Sequence, residues 1–382
     1  MGDEGFDPEN YQTPGQLLQE LLEARGWTQR ILAIVLKIGE TGINKILAGK
    51  QPVTAELALA FGEIFEVPAE RFLDLQKKYD LAQARIVARP DPDRAKRAHL
   101  FGGLPIAEMI KRGWIEADDV RDVRKVESEL VRFFGAGSID EIEILPYAAK
   151  QTNVASETTP TQMAWFYRVR QIAREMIVGR YTQAGINAAI KRLDSLLSAP
   201  EEARKVPRIL AEAGIRFILC EGLPRAKIDG VCFWLNNAPV IALTLRYDRI
   251  DNFWFVLRHE CEHAVREHGK ALITIDIELE GARAGSGDSV REEERVANEA
   301  AASFCVPKSQ LDLLIAHKAP FFSERDILAF ARMLRIHPGL VAGQLQHRTG
   351  RYDRFRGHQV KIRHHVRPGS MVDGWGNVAP VD

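Results

Sequence analysis

The feature that most constrains this chain is a five-residue run, His259-Glu260-Cys261-Glu262-His263. An H-E-x-x-H sets two imidazoles four positions apart, and on a helix such positions share one face. Both rings then reach a single ion, and Glu260 stands beside it, where a carboxylate can take a proton from a polarised water. The bland alternative is two surface histidines on a charged helix. The lead-in argues against it: Asn252-Phe-Trp-Phe-Val-Leu257 reads as the start of a buried helix, and a strand is expected just before it. The fold must therefore bury this helix and still bring other ligands to one of its turns.

A catalytic zinc usually takes three protein ligands and a water. A His six residues after the second His would complete one known pattern, but that position is Gly269. His268 follows five positions on and, on a continued helix, turns away from the His259/His263 face. The better third ligand is Glu294, which keeps helical register with Ala297, Ala301 and Phe304. Glu292 and Glu293 are rivals, since acids commonly solvate a helix start. Asn298, one turn after Glu294, is placed to support a ligand imidazole. Cys261 and Cys305 read as small core residues. Tyr247 and His268 are candidates for steadying an oxyanion, a role the spacing leaves unassigned. The expectation is one Zn2+ per chain, held by His259, His263 and Glu294, with Glu260 catalytic.

Composition narrows the setting. The four cysteines form no Cys-x-x-Cys pair, which excludes a disulfide scaffold or a Cys-based zinc ribbon and fits a reducing cytosol. The acidic N-terminus is unlike a signal peptide, and no apolar run approaches a membrane span, so a cytoplasmic protein without a membrane partner is expected. In the 382 residues, 52 Lys+Arg balance 52 Asp+Glu, which argues against a protein that grips nucleic acid over its whole surface. The balance is uneven. Residues 1–80 hold 8 basic and 13 acidic residues (8 − 13 = −5), while residues 346–367 hold seven basic residues and one acid (7 − 1 = +6). A reader at the N-terminus would need a dimer to supply enough contacts, and the basic tail could meet phosphate or an acidic partner.

Along the chain, residues 1–12 read as a solvated arm and 13–85 as five short helices with tight connections. Thr13-Pro14-Gly15-Gln16 combines an N-cap, a Pro at the first helical position and a capping-box Gln. Residues 86–205 read as a Pro-rich, charged linker and a helical middle, broken by a polar stretch at 151–161. Residues 206–346 carry short strands at 216–220, 231–235 and 240–245, then helices at 252–268 and 291–304 around a Gly- and acid-rich loop ending at Asp288. Residues 347–382 form the basic tail, Gly- and Pro-rich and expected to be flexible from Gly369.

The helix from Thr28 to Leu36, a break, and a second helix from Gly39 to Ala48 have helix-turn-helix spacing. The early residues of the second helix, Glu40, Thr41, Gly42, Asn44 and Lys45, would face the major groove. Asn44 could pair with adenine, while Thr28, Gln29, Lys45 and Lys50 could hold phosphates. Pattern alone leaves DNA binding and a plain interaction bundle both open.

Both ends of the chain also carry a resemblance. Leu17-Leu-Gln-Glu-Leu-Leu-Glu-Ala-Arg-Gly-Trp-Thr-Gln29, Lys45-Ile-Leu-Ala-Gly-Lys50 and residues 72–81 resemble HigA-type antitoxins of the XRE helix-turn-helix family. Residues 251–260 resemble the zinc helix of the ImmA/IrrE metallopeptidases. Glu294-Arg-Val-Ala-Asn298 with Val306-Pro307, and residues 338–346, are similar to that family's later motifs. The sequence departs from the pattern at Glu262, where a small residue is common and an exposed Glu is expected here, at Val296, and at Gly39, where Ser or Thr often caps.

The resemblance implies an α+β, mostly α protein. Its parts would be a five-helix lambda-repressor-like bundle, a helical middle, and a gluzincin-like domain with a small sheet and the H-E-x-x-H helix. It implies a homodimeric regulator on operator DNA that represses its own operon and neutralises an mRNA-cleaving toxin. It also implies a zinc endopeptidase that cleaves a repressor protein, or this chain itself. The alternatives are a dedicated metalloprotease acting on a separate repressor, and a zinc-binding antitoxin without catalysis.

Overall fold

The structure, a computed structural model, describes residues 13–87, 103–143, 158–268, 270, 275–277 and 292–381. The expected N-terminal arm, most of the linker and the loop ending at Asp288 lie outside these residues, as does most of the polar stretch at 151–161. The chain divides into two compact units, Met1–Arg94 and Ala95–Asp382.

The first unit contains α1 (Pro14–Arg25), α2 (Gln29–Leu36), α3 (Glu40–Leu47), α4 (Ala55–Phe65) and α5 (Ala69–Val87). The capping box is present: Thr13 Oγ1 accepts from the Gln16 amide at 3.1 Å, and the Thr13 amide donates to Gln16 Oε1 at 2.6 Å. Between α2 and α3 the chain turns through Lys37 at φ 54°. Leu18, Leu22, Leu32, Ile43, Ile46, Phe61 and Phe72 fill one core, which fixes α3 against α1 and α2. The middle of α3 thus has one buried face, Ile43 and Ile46, and leaves Asn44 and Lys45 outside.

The second unit is a mixed sheet with helices on both faces. Its elements are α6 (Ile106–Lys111), α7 (Val123–Phe134), α8 (Ile139–Glu143), α9 (Pro160–Glu175), α10 (Gln183–Asp194), α11 (Val206–Glu212), β1 (Arg216–Cys220), β2 (Ile228–Leu235) and β3 (Ala238–Leu243). There follow α12 (Ile250–Val265), β4 (Ile275–Ile277), α13 (Glu292–Cys305), α14 (Lys308–Lys318), α15 (Glu324–Leu334), α16 (Pro338–Thr349), α17 (Arg363–Val366) and β5 (Met371–Asp373). The strand order is β4-β2-β3-β1-β5; β1 runs parallel to β3 and β5, while β2 is antiparallel to β3 and β4.

Strand residues alternate between the faces. Phe217, Leu219, Cys232, Ile241 and Leu243 meet α10, α11 and α12. Ile218, Cys220, Val231, Phe233, Val240 and Ala242 meet α6, α7 and α9. A sheet covered on both faces needs apolar residues at every position, and that explains the unbroken apolar runs. The expected boundary at residue 205 falls inside this unit, because the middle helices supply one of its layers.

Several expectations need correction. The β2–β3 turn is Asn236-Asn237 alone, at φ 50° and 60°, and Ala238 and Pro239 already belong to β3. Two positive-φ residues make the tight hairpin turn that matches strand twist, and Asn tolerates that conformation best after Gly. The tail is not free after Gly369: β5 pairs with β1, and Asp373 is fully buried. The residues from 347 onward belong to the second unit. Glu262 is another, and it sits within the site.

Candidate metal centre

α12 is buried along nearly its whole length, from Ile250 to Ala264, between the sheet and α13. Its N-terminus is pinned by Arg249, which holds Asp251 in a two-pronged ion pair. Gly343 of α16 leaves room for that carboxylate, since a Cβ there would overlap it. The helix is thereby anchored two and a half turns, on the order of 14 Å, before its histidines.

His259 and His263 turn their Nε2 atoms toward each other at 3.0 Å. α13 buries Ala297, Ala301 and Cys305, and that register brings Glu294 over both rings. Its Oε2 lies 3.3 Å from His259 Nε2 and its Oε1 3.7 Å from His263 Nε2. Two nitrogens and one carboxylate thus converge, each offering an atom within 4.8 Å of the others. A tetrahedral zinc with bonds of about 2.0 Å has ligand–ligand edges of about 3.3 Å. The nitrogen pair at 3.0 Å and the two carboxylate oxygens at 3.3 and 3.7 Å, one facing each ring, lie near that value, so the donor set fits the ion in both chemistry and size. Burial opposes ionisation of Glu294, but hydrogen bonds from His259 and His263 outweigh it and hold the carboxyl well below the usual range. The rivals are elsewhere: Glu292 pairs with Arg295 at 2.9 Å, and Glu293 is exposed, 4.0 Å from His268.

Glu260 is fully buried and faces the sheet. Its carboxylate occupies the space a side chain at Gly230 would take, at an irregular step in the β2–β4 register. A glycine inside a strand marks such close approach. The expected strand starts at 231, so only the longer observed β2 (Ile228–Leu235) puts Gly230 inside a strand and makes it legible as a close approach.

Glu262 was expected to be exposed. It is buried, accepting from Arg258 at 2.7 Å and Arg266 at 2.9 Å, one turn to either side. Burial raises its pKa and the two guanidiniums lower it by more, so the carboxylate stays charged. A large residue fits here because its charge is matched within the helix.

His268 also differs from expectation. α12 ends at Val265, Glu267 takes φ 59°, and the chain folds back on itself. His268 Nδ1 then lies 3.0 Å from His263 Nδ1. Burial is the main influence on His268 and lowers its pKa, favouring a neutral ring able to accept a hydrogen bond. The Trp234 indole N–H fixes the same residue through its carbonyl at 2.9 Å.

Asn298 sits one turn beyond Glu294, half-buried, and its buried Oδ1 has no hydrogen-bond partner among the described residues. Tyr247 lies before the start of α12 with the Arg246 guanidinium 5.0 Å from its ring centre. Cys261 and Cys305 are buried in the core, and burial pushes the Cys261 thiol up to about 12.

In the first unit, Glu40, Thr41, Asn44, Lys45 and Lys50 are all exposed, and Gln29 is half-buried at the start of α2. Thr28 has a structural duty, because its Oγ1 caps α2 by accepting from the Ile31 amide at 3.3 Å. Gly39 caps α3 with no side-chain bond.

Over 75 residues the chain is 28% identical to YddM of Escherichia coli K12, described as an uncharacterized HTH-type transcriptional regulator; the match covers 20% of this chain and 80% of that protein. The likeness supports a helix-turn-helix regulator region. It goes no further. No family model matches the chain, and no solved structure matches it. Among the described residues, no helix is long and apolar enough to cross a membrane.

Proposed function

We propose that this chain is a DNA-binding regulator carrying a zinc-dependent endopeptidase centre, with His259, His263 and Glu294 as ligands and Glu260 as the catalytic carboxylate. The observation that carries the peptidase reading is the convergence of the two histidine nitrogens and the Glu294 carboxylate, the nitrogens 3.0 Å apart and one carboxylate oxygen 3.3 or 3.7 Å from each. Bound there, zinc would supply Lewis acidity, acidifying a water and polarising a peptide carbonyl. Glu260 would hold the proton lost by the attacking water and return it to the departing amine nitrogen. The β2 backbone at Gly230 stands behind its carboxylate and limits where it can move. With His263 Nε2 on a metal, its Nδ1–H would donate to His268 Nδ1, 3.0 Å away, and so fix the ring.

The regulator reading is supported by the match to YddM and by the exposed face of α3. On this reading a homodimer binds operator DNA through Asn44, Lys45 and their neighbours and autoregulates its operon. A repressor protein, or the chain itself, is the substrate, and an mRNA-cleaving toxin is the antitoxin-type partner.

One observation favours a second reading, a zinc site without catalysis: His259 and Glu260 are both 0% exposed. A single experiment separates the two. Glu260→Gln should retain one zinc per chain by elemental analysis yet lose cleavage of a repressor substrate by at least a hundredfold, in line with the usual contribution of a general base. Cleavage equal to wild type would remove Glu260 from the mechanism, and no cleavage by either protein would favour the second reading. His263→Ala should lose the metal, and full retention would sink the ligand assignment.

A further inference from the structure

A cavity of about 690 Å³ lies within the second unit, walled by α7, α9 and residues 378–381. Four arginines line it, and they divide into two kinds. Arg168 is matched by Asp373 at 2.6 Å and Arg132 by Glu129 at 2.8 Å. Arg170 and Arg174, one turn apart on α9, also line the cavity. Among the described residues, neither guanidinium makes an ion pair or hydrogen bond. Like charges four residues apart on a helix repel; Arg170 is half-buried, whereas Arg174 is exposed, where water also solvates it. Burial, followed by the charge of Arg174, lowers the Arg170 pKa, as expected of a cation held without a counter-ion. The one acid on the wall, Glu116, is exposed at the rim. The floor beside them is aromatic: Phe134 and Tyr167 meet edge to face at 5.0 Å.

Two guanidiniums without a partner among the described residues, one of them half-buried, suit a group that carries two negative charges. A carboxylate brings one charge, whereas a phosphate monoester brings about 1.5 to 2 at neutral pH, in a shape that guanidinium forks match. The volume is in the range of small-molecule sites and far beyond that of a lone anion. We propose that this cavity binds a small phosphate monoester, with Arg170 and Arg174 on the phosphate and the aromatic floor under the organic part. The site is separate from the metal centre, and the proposal does not depend on the peptidase reading.

The test is calorimetry on the full chain at fixed ionic strength, with inorganic phosphate, adenosine monophosphate, ribose 5-phosphate and phosphotyrosine as probes. At least one ester should bind saturably, at least tenfold more tightly than inorganic phosphate. Arg170→Gln with Arg174→Gln should weaken it at least tenfold, without lowering the melting temperature of the ligand-free protein. No saturable binding by any ester, or unchanged binding in the variant, overturns the proposal. Equal affinity for inorganic phosphate overturns the ester assignment. Displacement of the ester by duplex DNA, lost in the same variant, would reassign these arginines to a nucleic-acid surface.

Discussion

His268 and Gly230 touch the proposed metal centre only through His263 and Glu260, so each can be changed without removing a proposed ligand. His268 touches His263 through the ring nitrogen opposite the proposed metal. His268→Ala should therefore weaken zinc affinity by about 10- to 100-fold, read by competition with a chelator, and His268→Gln should recover part of it. An affinity unchanged in His268→Ala would reduce that contact to packing. Gly230→Ala works differently. Its new Cβ would meet the Glu260 carboxylate and crowd Leu243, so the protein should keep its zinc, lose most of its cleavage rate, and lose about 1–3 kcal/mol of stability to overpacking. Full activity in that variant would mean that the carboxylate is not held by β2. The sequence displayed the histidine pair and Glu294 because helical periodicity is local. The place of His268 is not legible in the sequence, because it depends on where α12 ends, and nothing in residues 264–268 announces the positive-φ turn at Glu267. Gly230 was overlooked because the residue it accommodates lies thirty positions away.

Among the elements, α3 has the clearest division of labour. Ile43 and Ile46 bury one face, which leaves Asn44 and Lys45 free of any packing role. Asn44→Ala with Lys45→Ala should leave the helix folded by circular dichroism while weakening operator binding. Loss of one phosphate contact should also reduce the salt dependence of binding by about one unit of slope. Operator shifts equal to wild type at every salt concentration would remove α3 from the interface. Thr28→Ala is a poorer test of DNA contact, because removing the α2 cap costs about 1 kcal/mol whether DNA binds or not. Elements with a strong local signature were legible: the capping box opening α1 and the apolar runs of β1 and β3. β4 and β5, three residues each, carry too short a pattern to be seen, and their pairing partners lie far along the chain.

At the scale of the whole second unit, the C-terminal residues act as a clasp. Asp373 accepts from Arg168 Nε at 2.9 Å, from the Trp114 indole at 2.8 Å and from the Ala379 amide at 3.1 Å, and Arg168 also donates to the Ala379 carbonyl at 2.8 Å. One buried carboxylate thus joins α9, the segment after α6 and the last described residues, some 200 positions apart in sequence. Composition suggested a flexible tail because Gly and Pro are local signals, whereas this network is visible only once the sheet has formed. Part of the tail's positive charge is met within the same unit, with Arg348 on Asp312 at 2.9 Å in an exposed pair and Arg363 stacked over Trp375 at 4.8 Å. Asp373→Ala would leave Arg168 charged and buried, and breaking such a pair costs about 3–5 kcal/mol. The melting temperature of the second unit should fall by on the order of 10 °C in calorimetry, whereas a loose tail predicts no change. Arg168→Met combined with Asp373→Leu should recover much of the loss, because the pair's own desolvation cost disappears with its attraction. If the double variant is as unstable as Asp373→Ala, the Trp114 and Ala379 hydrogen bonds, rather than the ion pair, hold the clasp closed.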